Sequence, residues 1–246
     1  MKGYELSTGA QTLKDRIRTV LFDLDGTLLF HKPDSFDMIS SFCTDIGQPL
    51  DAETERLGRR TRHEYFVDPI IVGRLASFTL DQFWCHFNRH LLQAIGIQGD
   101  LDLLAREATD RIAAIDLSYH CPEAGCRTLA ELRARGYKLG LITNRTNTER
   151  FYQLLDQMDM RSYFDLTLAS GEVGIRKPEP GIFHTAMERL GTRADRSVYV
   201  GDNYWADVIG AERAGVIPIL YDPLHLFPEA NCLILERMDQ LLSWLP

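Results

Sequence analysis

The chain has five cysteines and no CxxC pair among them; Cys121 and Cys126 stand five apart around Pro122 and Gly125. That spacing argues against a zinc site and for reduced, buried thiols. Basic residues are also short: 27 Lys and Arg against 35 Asp and Glu leave a formal net charge of -8. Such a balance excludes a general nucleic-acid or membrane-surface binder, which carries a basic face. It does not exclude phosphate ligands, because a bound divalent cation reverses the sign of a local site. No stretch reaches the roughly 18 apolar residues that span a bilayer. Met1 to Lys14 lacks the apolar core of a signal peptide. Internal repeats and low-complexity tracts are absent as well, and the composition, 45% apolar and 25% charged, is that of a folded globular chain. A cytoplasmic enzyme is the expectation, with no nucleic-acid or membrane partner, as a monomer or weak homodimer. Its 246 residues suffice for one large domain or a core domain with an insertion.

What the chain does have is Val20-Leu21-Phe22-Asp23-Leu24-Asp25-Gly26-Thr27-Leu28. Thr19 to Phe22 is apolar on both alternations and reads as a strand buried on both faces, as in a parallel sheet covered by helices. In such sheets the ligand crevice lies beyond the carboxyl ends of the strands, so Asp23 and Asp25 belong to the functional edge. Gly26 permits a sharp turn there. Two acids this close point to a metal, an acid/base pair, or both.

Residues 1 to about 16 carry no clear period and read as a loose arm or a lead-in helix. From His31 to Ser118 the pattern is helical, without a convincing strand. Phe36, Ile39, Cys43 and Ile46 recur at helical spacing before Gly47; Asp51 caps a polar helix toward Tyr65. Thr79-Leu80-Asp81-Gln82 has the form of a capping box ahead of Phe83, Phe87, Leu91 and Ile95, and Leu101, Leu104, Ala108, Ile112 and Ile115 make a fourth helix. These four helices predict a bundle domain over residues 31–116, inserted into a core made of residues 1–30 and 117–246. In the core, predicted strands at Lys138–Thr143, Leu166–Ala169, Ser197–Gly201 and Val216–Leu220 alternate with helices at Thr128–Arg135, Asn147–Met158, Pro180–Leu190 and Trp205–Ala214. Leu233–Leu235 adds an edge strand before a helix over Met238–Trp244. Strands separated by one helix each predict an α/β fold with a doubly wound parallel sheet.

Chemistry-bearing residues stand at the carboxyl ends of these strands. The first ends in Asp23 and Asp25, the second in Thr143 and Asn144; Lys177 lies in the loop after the third, and the fourth ends in Gly201-Asp202-Asn203 with Asp207 close behind. A parallel sheet gathers all of them at one edge. Three carboxylates there cost roughly 4 kcal/mol per like-charged pair at about 4 Å and an effective dielectric near 20, so protons or a cation must intervene. Oxygen ligands without His or Cys favour Mg2+ over Zn2+. With Thr143 and Lys177 supplying donors and positive charge, the complement is a phosphoryl group. Asp23 can then attack phosphorus, while Asp25 protonates the leaving oxygen and later activates water.

Four segments carry a family resemblance: DLDGT at 23–27, ITN at 142–144, RKPEP at 176–180 and GDNYWAD at 201–207. In this order they resemble the haloacid dehalogenase-like hydrolases, in the branch of Mg2+-dependent phosphatases, over about residues 18 to 222. The resemblance implies a Rossmann-like core with a helical cap inserted after the first strand. It implies that Asp23 is nucleophile and metal ligand, and that Asp25 is acid/base with its backbone carbonyl on the metal. Thr143, the Asn144 amide and Lys177 would hold the phosphoryl group, and Asp202 and Asp207 would ligate Mg2+ or order its waters. Asp at position 25 disfavours the dehalogenases. RKPEP and the GDN segment look like the phosphoglycolate phosphatase-like subgroup, which also holds sugar phosphatases, nucleotidases and a hexose phosphate mutase. The expected function is hydrolysis of a small phosphorylated metabolite through an aspartyl phosphate. A phosphomutase is the alternative, ahead of a silent or receiver-like phosphate-binding protein.

Other residues have blander readings beside sharper ones. Arg59, Arg60, Arg62 and His63 read as a solvated helix face rather than an anion site. Phe83, Trp84 and Phe87 read as helix core rather than a stacking platform. His86 and His90 have the spacing of a metal pair but no evident third ligand. Arg145 is balanced between a substrate contact and an exposed arginine at a helix start.

Overall fold

A computed structural model describes residues 16–74 and 77–245, so the reading of residues 1–15 lies outside it. The described residues form two compact units. One runs up to Phe30 and resumes at Tyr119; the other spans His31–Ser118.

The first unit is built on a six-stranded sheet. Its strands are β1 (Thr19–Phe22), β4 (Lys138–Thr143), β5 (Leu166–Ala169), β6 (Ser197–Gly201), β7 (Ile217–Tyr221) and β8 (Leu233–Leu235), in the spatial order β5-β4-β1-β6-β7-β8. All pairs are parallel, with Leu21 opposite Gly140 on one side and Tyr199 on the other. The strand order explains the apolar runs. Val20 and Phe22 join Leu139, Leu141, Val198 and Val200 in a core on one face, while Leu21 joins Ile142, Leu168, Phe183 and Tyr199 on the other. A strand covered on both sides has no polar alternation to show. The α/β, doubly wound parallel sheet is therefore the observed fold.

Three elements depart locally from the expected helices. The helix expected from Thr128 begins earlier, at Glu123, with Pro122 in the N-cap position, where its missing N–H costs nothing. The expected Trp205–Ala214 helix opens with a π turn, Tyr204–Val208, before Ile209–Arg213 continues as α. The π turn closes with Ile209 N–H donating to Tyr204 C=O, while the Asn203 side chain accepts from the N–H groups of Trp205 and Ala206 and the Asp207 carboxylate from Asn203 N–H. The terminal helix is a 3-10 turn, Met238–Gln240, followed by Leu241–Trp244.

Two short strands, β2 (Phe30–Lys32) and β3 (Ser118–His120), pair in a sheet of their own. They correct the reading of a strandless segment; three residues are too few for alternation to register.

The second unit is helical, with five α-helices among the described residues rather than four: Ser35–Asp45, Ala52–Tyr65, Pro69–Arg74, Leu80–Ala94 and Leu101–Ala113. The additional Pro69–Arg74 helix is under two turns long, too short to show a period, and starts where the Asp68 carboxylate accepts from the N–H groups of Ile70 and Ile71. The capping box at Leu80 is complete in both directions. Phe36, Ile39, Phe42, Tyr65, Leu91 and Leu92 form the core of this unit. Its basic helix is not a solvated face, contrary to the sequence reading. Arg59 donates to Asp34 at 2.9 Å and Asp37 at 2.5 Å, Arg62 to the Ser35 hydroxyl, and His63 is buried. Phe87 is core, as expected, whereas Trp84 stays 41% exposed with its ring edge-on to Phe83 and Phe87. His86 Nδ1 lies 2.8 Å from the Tyr65 hydroxyl, and no metal-ligating group of side chains among the described residues includes it or His90. All five cysteines are free. No helix among the described residues is long and apolar enough to cross a membrane.

Candidate active site

β1 is central, with β4 and β6 as neighbours, so the carboxyl ends of three adjacent strands supply the site. Asp23 continues the ladder past β1, its N–H donating to Val200 C=O at 2.9 Å, and is 7% exposed. The chain then turns at Gly26, whose φ of +83° places it in the left-handed region. A Cβ there would stand 2.3 Å from Asp202 Oδ2. Glycine thus lets the β1 turn and the acid after β6 approach each other, and the Thr27 hydroxyl donates to Asp202 Oδ1 at 3.1 Å.

Lys177 is the hub of the site. Its Nζ donates to Asp23 Oδ1 at 2.6 Å, to Asp207 Oδ1 at 2.6 Å and to the Tyr199 hydroxyl at 2.7 Å. It is 2% exposed, so its three donors all meet protein acceptors. Asn144 sets the loop that carries it: its side chain accepts from Lys177 N–H at 2.8 Å and donates to Lys177 C=O at 3.0 Å. The side chain of Asn144 is therefore spent on placing the lysine. Thr143, at the end of β4, is buried, and its hydroxyl accepts from Arg145 N–H at 3.3 Å.

Oxygens of Asp23, Asp202 and Asp207 lie within 4.8 Å of one another. Burial pushes the Asp23 carboxyl well above the ordinary carboxylate range; Lys177 opposes this, and the charges of Asp207 and Asp202 add to it. Burial also works against the Lys177 ammonium, but Asp207 and Asp23 outweigh it and hold the amine above its usual value. One lysine does not balance three acids. An all-oxygen donor set with surplus negative charge fits a hard divalent cation such as Mg2+.

Asp207 is a less open donor than Asp202. Its Oδ1 accepts from Lys177 and lies 3.2 Å from the Tyr199 hydroxyl, and its Oδ2 accepts from Asn203 N–H at 2.9 Å. Asp25 faces elsewhere: its two oxygens accept from Arg145, at 2.8 Å from Nε and 2.6 Å from Nη2. Of the predicted site residues, Asp23, Lys177 and Asp207 are directly bonded together, with Asp202 beside them; Asn144 and Thr143 anchor the adjoining loops, and the Asp25 carboxylate is paired with Arg145.

Tyr199 is a site residue that sequence reasoning missed. Its hydroxyl, buried between β4 and Asp207, lies 3.2 Å from Ile142 C=O, and burial first, then the neighbouring acids, keeps it neutral. The available signal was a tyrosine in the middle of an otherwise apolar buried strand, where the hydroxyl must find partners.

Residues 17–215 match the family model for a haloacid dehalogenase-like hydrolase. A ribulose-1,5-bisphosphate 5-phosphatase of Halopiger xanaduensis is 31% identical over 212 residues, covering 83% of this chain and 84% of that protein. A phosphoserine phosphatase of Thermus thermophilus is 40% identical over 226 residues, covering 84% and 89%. The crystal structure of a predicted phosphoglycolate phosphatase from Haemophilus somnus superposes with a TM-score of 0.59 at 18% identity, over 93% of this chain and 97% of that one. At that identity the likeness speaks for the fold alone.

Proposed function

The chain belongs to the haloacid dehalogenase-like hydrolases, and from that membership we propose that it is a Mg2+-dependent phosphatase of a small phosphorylated metabolite, working through an aspartyl phosphate on Asp23. The observation that carries the reading is the buried Asp23 carboxylate, held at 2.6 Å by Lys177 beside two further acids, with a second acid two residues on. The names of both relatives above denote enzymes of phosphate monoesters.

The steps follow from the side chains. Lys177 orients Asp23 Oδ1 and leaves its other oxygen to attack phosphorus in line. The Thr143 hydroxyl and the Asn144 main-chain amide are the donors for the phosphoryl oxygens as charge shifts toward the leaving group, joined by Lys177 when one of its three protein acceptors gives way. Asp25 gives its proton to the ester oxygen, and the alcohol leaves. Asp25, now ionised, takes a proton from water, whose oxygen attacks the aspartyl phosphate; phosphate departs and the Asp23 carboxylate is restored. Asp23, Asp202, the Asp25 carbonyl and Asp207, directly or through water, would hold Mg2+, which would supply charge neutralisation during phosphoryl transfer.

Phosphate release from a panel of phosphorylated metabolites, with Mg2+ or EDTA, tests the reading. Release should require Mg2+, and Asp23→Asn should cost at least about 10³ in turnover. Wild-type activity in that variant would overturn the assignment of the nucleophile.

A further inference from the structure

Arg145 engages the acid/base carboxylate that the proposed mechanism requires. Its Nε donates to Asp25 Oδ2 at 2.8 Å and its Nη2 to Asp25 Oδ1 at 2.6 Å, so one planar fork occupies both oxygens. The main chain of Arg145 is anchored. Its N–H donates to the Thr143 hydroxyl, and its C=O accepts from the Ser170 hydroxyl at 3.2 Å and from Gly171 N–H at 3.1 Å. The side chain is therefore the part free to change partner.

With each oxygen bonded to the fork, the Asp25 carboxylate is aimed at Arg145, and it must turn away to meet a leaving group. The fork must open at least halfway, and a guanidinium cannot give up its proton to shed the charge it then exposes. Its side chain is 23% exposed, against 48% for Asp25, so water replaces the lost partner poorly. Tyr119 also hydrogen-bonds the Arg145 side chain, but one hydroxyl oxygen cannot fill a two-pronged fork, so the site has a place for a second anion when Asp25 turns to its work. Fork geometry selects for a carboxylate or a phosphate.

We propose that the substrate supplies that anion: the preferred esters carry a carboxylate or second phosphate close to the ester oxygen, and Arg145 reads it by exchanging Asp25 for it. The inference rests on the phosphatase reading above. An ester of a neutral alcohol leaves the fork closed on Asp25, whereas an anionic one opens it and frees the acid/base group in the same event.

Three matched esters test this with Mg2+ present: 2-phosphoglycolate, ethylene glycol bisphosphate and 2-hydroxyethyl phosphate. The wild-type enzyme should prefer one of the two anionic esters over the neutral one by about 10- to 100-fold in kcat/KM, the range for a bidentate charge-assisted pair. Which of the two is favoured separates carboxylate from phosphate. Arg145→Met should bring the ratio to within about threefold of one, through a higher KM for the anionic ester and a higher kcat for the neutral one, for which Asp25 is no longer held. Arg145→Lys, which keeps the charge without the fork, should lose most of the preference. A wild-type ratio near one, or a ratio unchanged in both variants, overturns the inference and leaves the phosphatase reading standing. The wild-type comparison decides even if a variant fails to fold. Release from none of the three, nor from an aryl phosphate, overturns the phosphatase reading and the inference with it.

Discussion

Replacing Lys177 with methionine removes the cation bonded to both Asp23 and Asp207 while keeping the length of the side chain. Two buried carboxylates then face each other with oxygens within 4.8 Å. At an effective dielectric near 20 and that separation, their repulsion is about 3.5 kcal/mol. Protonating one of them at pH 7 instead, from an ordinary carboxyl pKa near 3.9, costs about 4 kcal/mol. Both routes give the same figure, and it agrees with the roughly 3–5 kcal/mol lost when a buried pair is broken from one side. Lys177→Met should therefore unfold about 3–5 kcal/mol more easily in urea with EDTA present. Saturating Mg2+ should close part of that gap, because the cation neutralises the acids in the folded state alone and stabilises the variant more than the parent. Turnover should stay at least about 10³ down, since the phosphoryl oxygens have lost their charged donor. Stability in EDTA within about 1 kcal/mol of the parent would refute the reasoning.

The two acids after β6 should separate by function: Asp202→Asn should raise the Mg2+ dissociation constant at least about tenfold. Asp207→Asn, which disturbs acceptors already committed to Lys177 and Asn203 N–H, should lower kcat more than Mg2+ affinity; calorimetric titration giving the reverse order would sink this division. Gly26→Ala forces a Cβ to 2.3 Å from Asp202 Oδ2 at a φ of +83°, so Mg2+ affinity should fall along with about 1–2 kcal/mol of stability; unchanged Mg2+ binding would contradict the close approach. His63 titrates near 3 in the folded chain instead of 6.5, because burial first, and then Arg62, disfavour its charge while Asp34 opposes them. A depressed folded pKa means stability is complete above the unfolded value and is lost as pH falls through 6.5 toward 3. By pH 5 the loss should be about 2 kcal/mol. His63→Gln should flatten that slope in urea titrations at pH 7.5 and 5, and an equal slope would count against it.

The legible parts of the molecule were those in which one short segment carries its own reason. Thr19–Phe22 is buried on both faces, and its apolar run showed that directly; β4 and β6 read the same way. Once the strands were placed, a parallel sheet brought Asp23, Asp202 and Asp207 to one edge, because strand ends are where such a sheet presents side chains. β2 and β3 were missed because FHK and SYH lack the apolar run that marks the equally short β8, and Pro69–Arg74 because it does not complete two turns. The basic helix misled for another reason. Arg59 and His63 look like a solvated face until Asp34 and Asp37, on a different turn of the chain, are found to cover it. Pairings of this kind depend on packing between elements, to which spacing within one helix is blind. Arg145 and Tyr199 belong to the same class: each is explained by a partner on another strand or loop.

Charge counting links the two halves of the site. Asp23, Asp202 and Asp207 carry three formal negative charges when ionised, and Lys177 returns one, so the buried cluster is short by two positive charges. Burial first, and then the charges of Asp207 and Asp202, push the Asp23 carboxyl up against the pull of Lys177, and a divalent cation would make up the missing positive charge. The Asp25–Arg145 pair is neutral by itself and stands outside this balance. Bringing a phosphate monoester into the cluster adds negative charge only where cation and lysine already wait for it. A second anion on the same substrate has no place there, whereas Arg145 is a cation already bonded to a motif carboxylate outside the cluster. On the proposed mechanism the half of the site around Asp23 would be tuned to the group being transferred, and the half around Asp25 and Arg145 to what the group is transferred from.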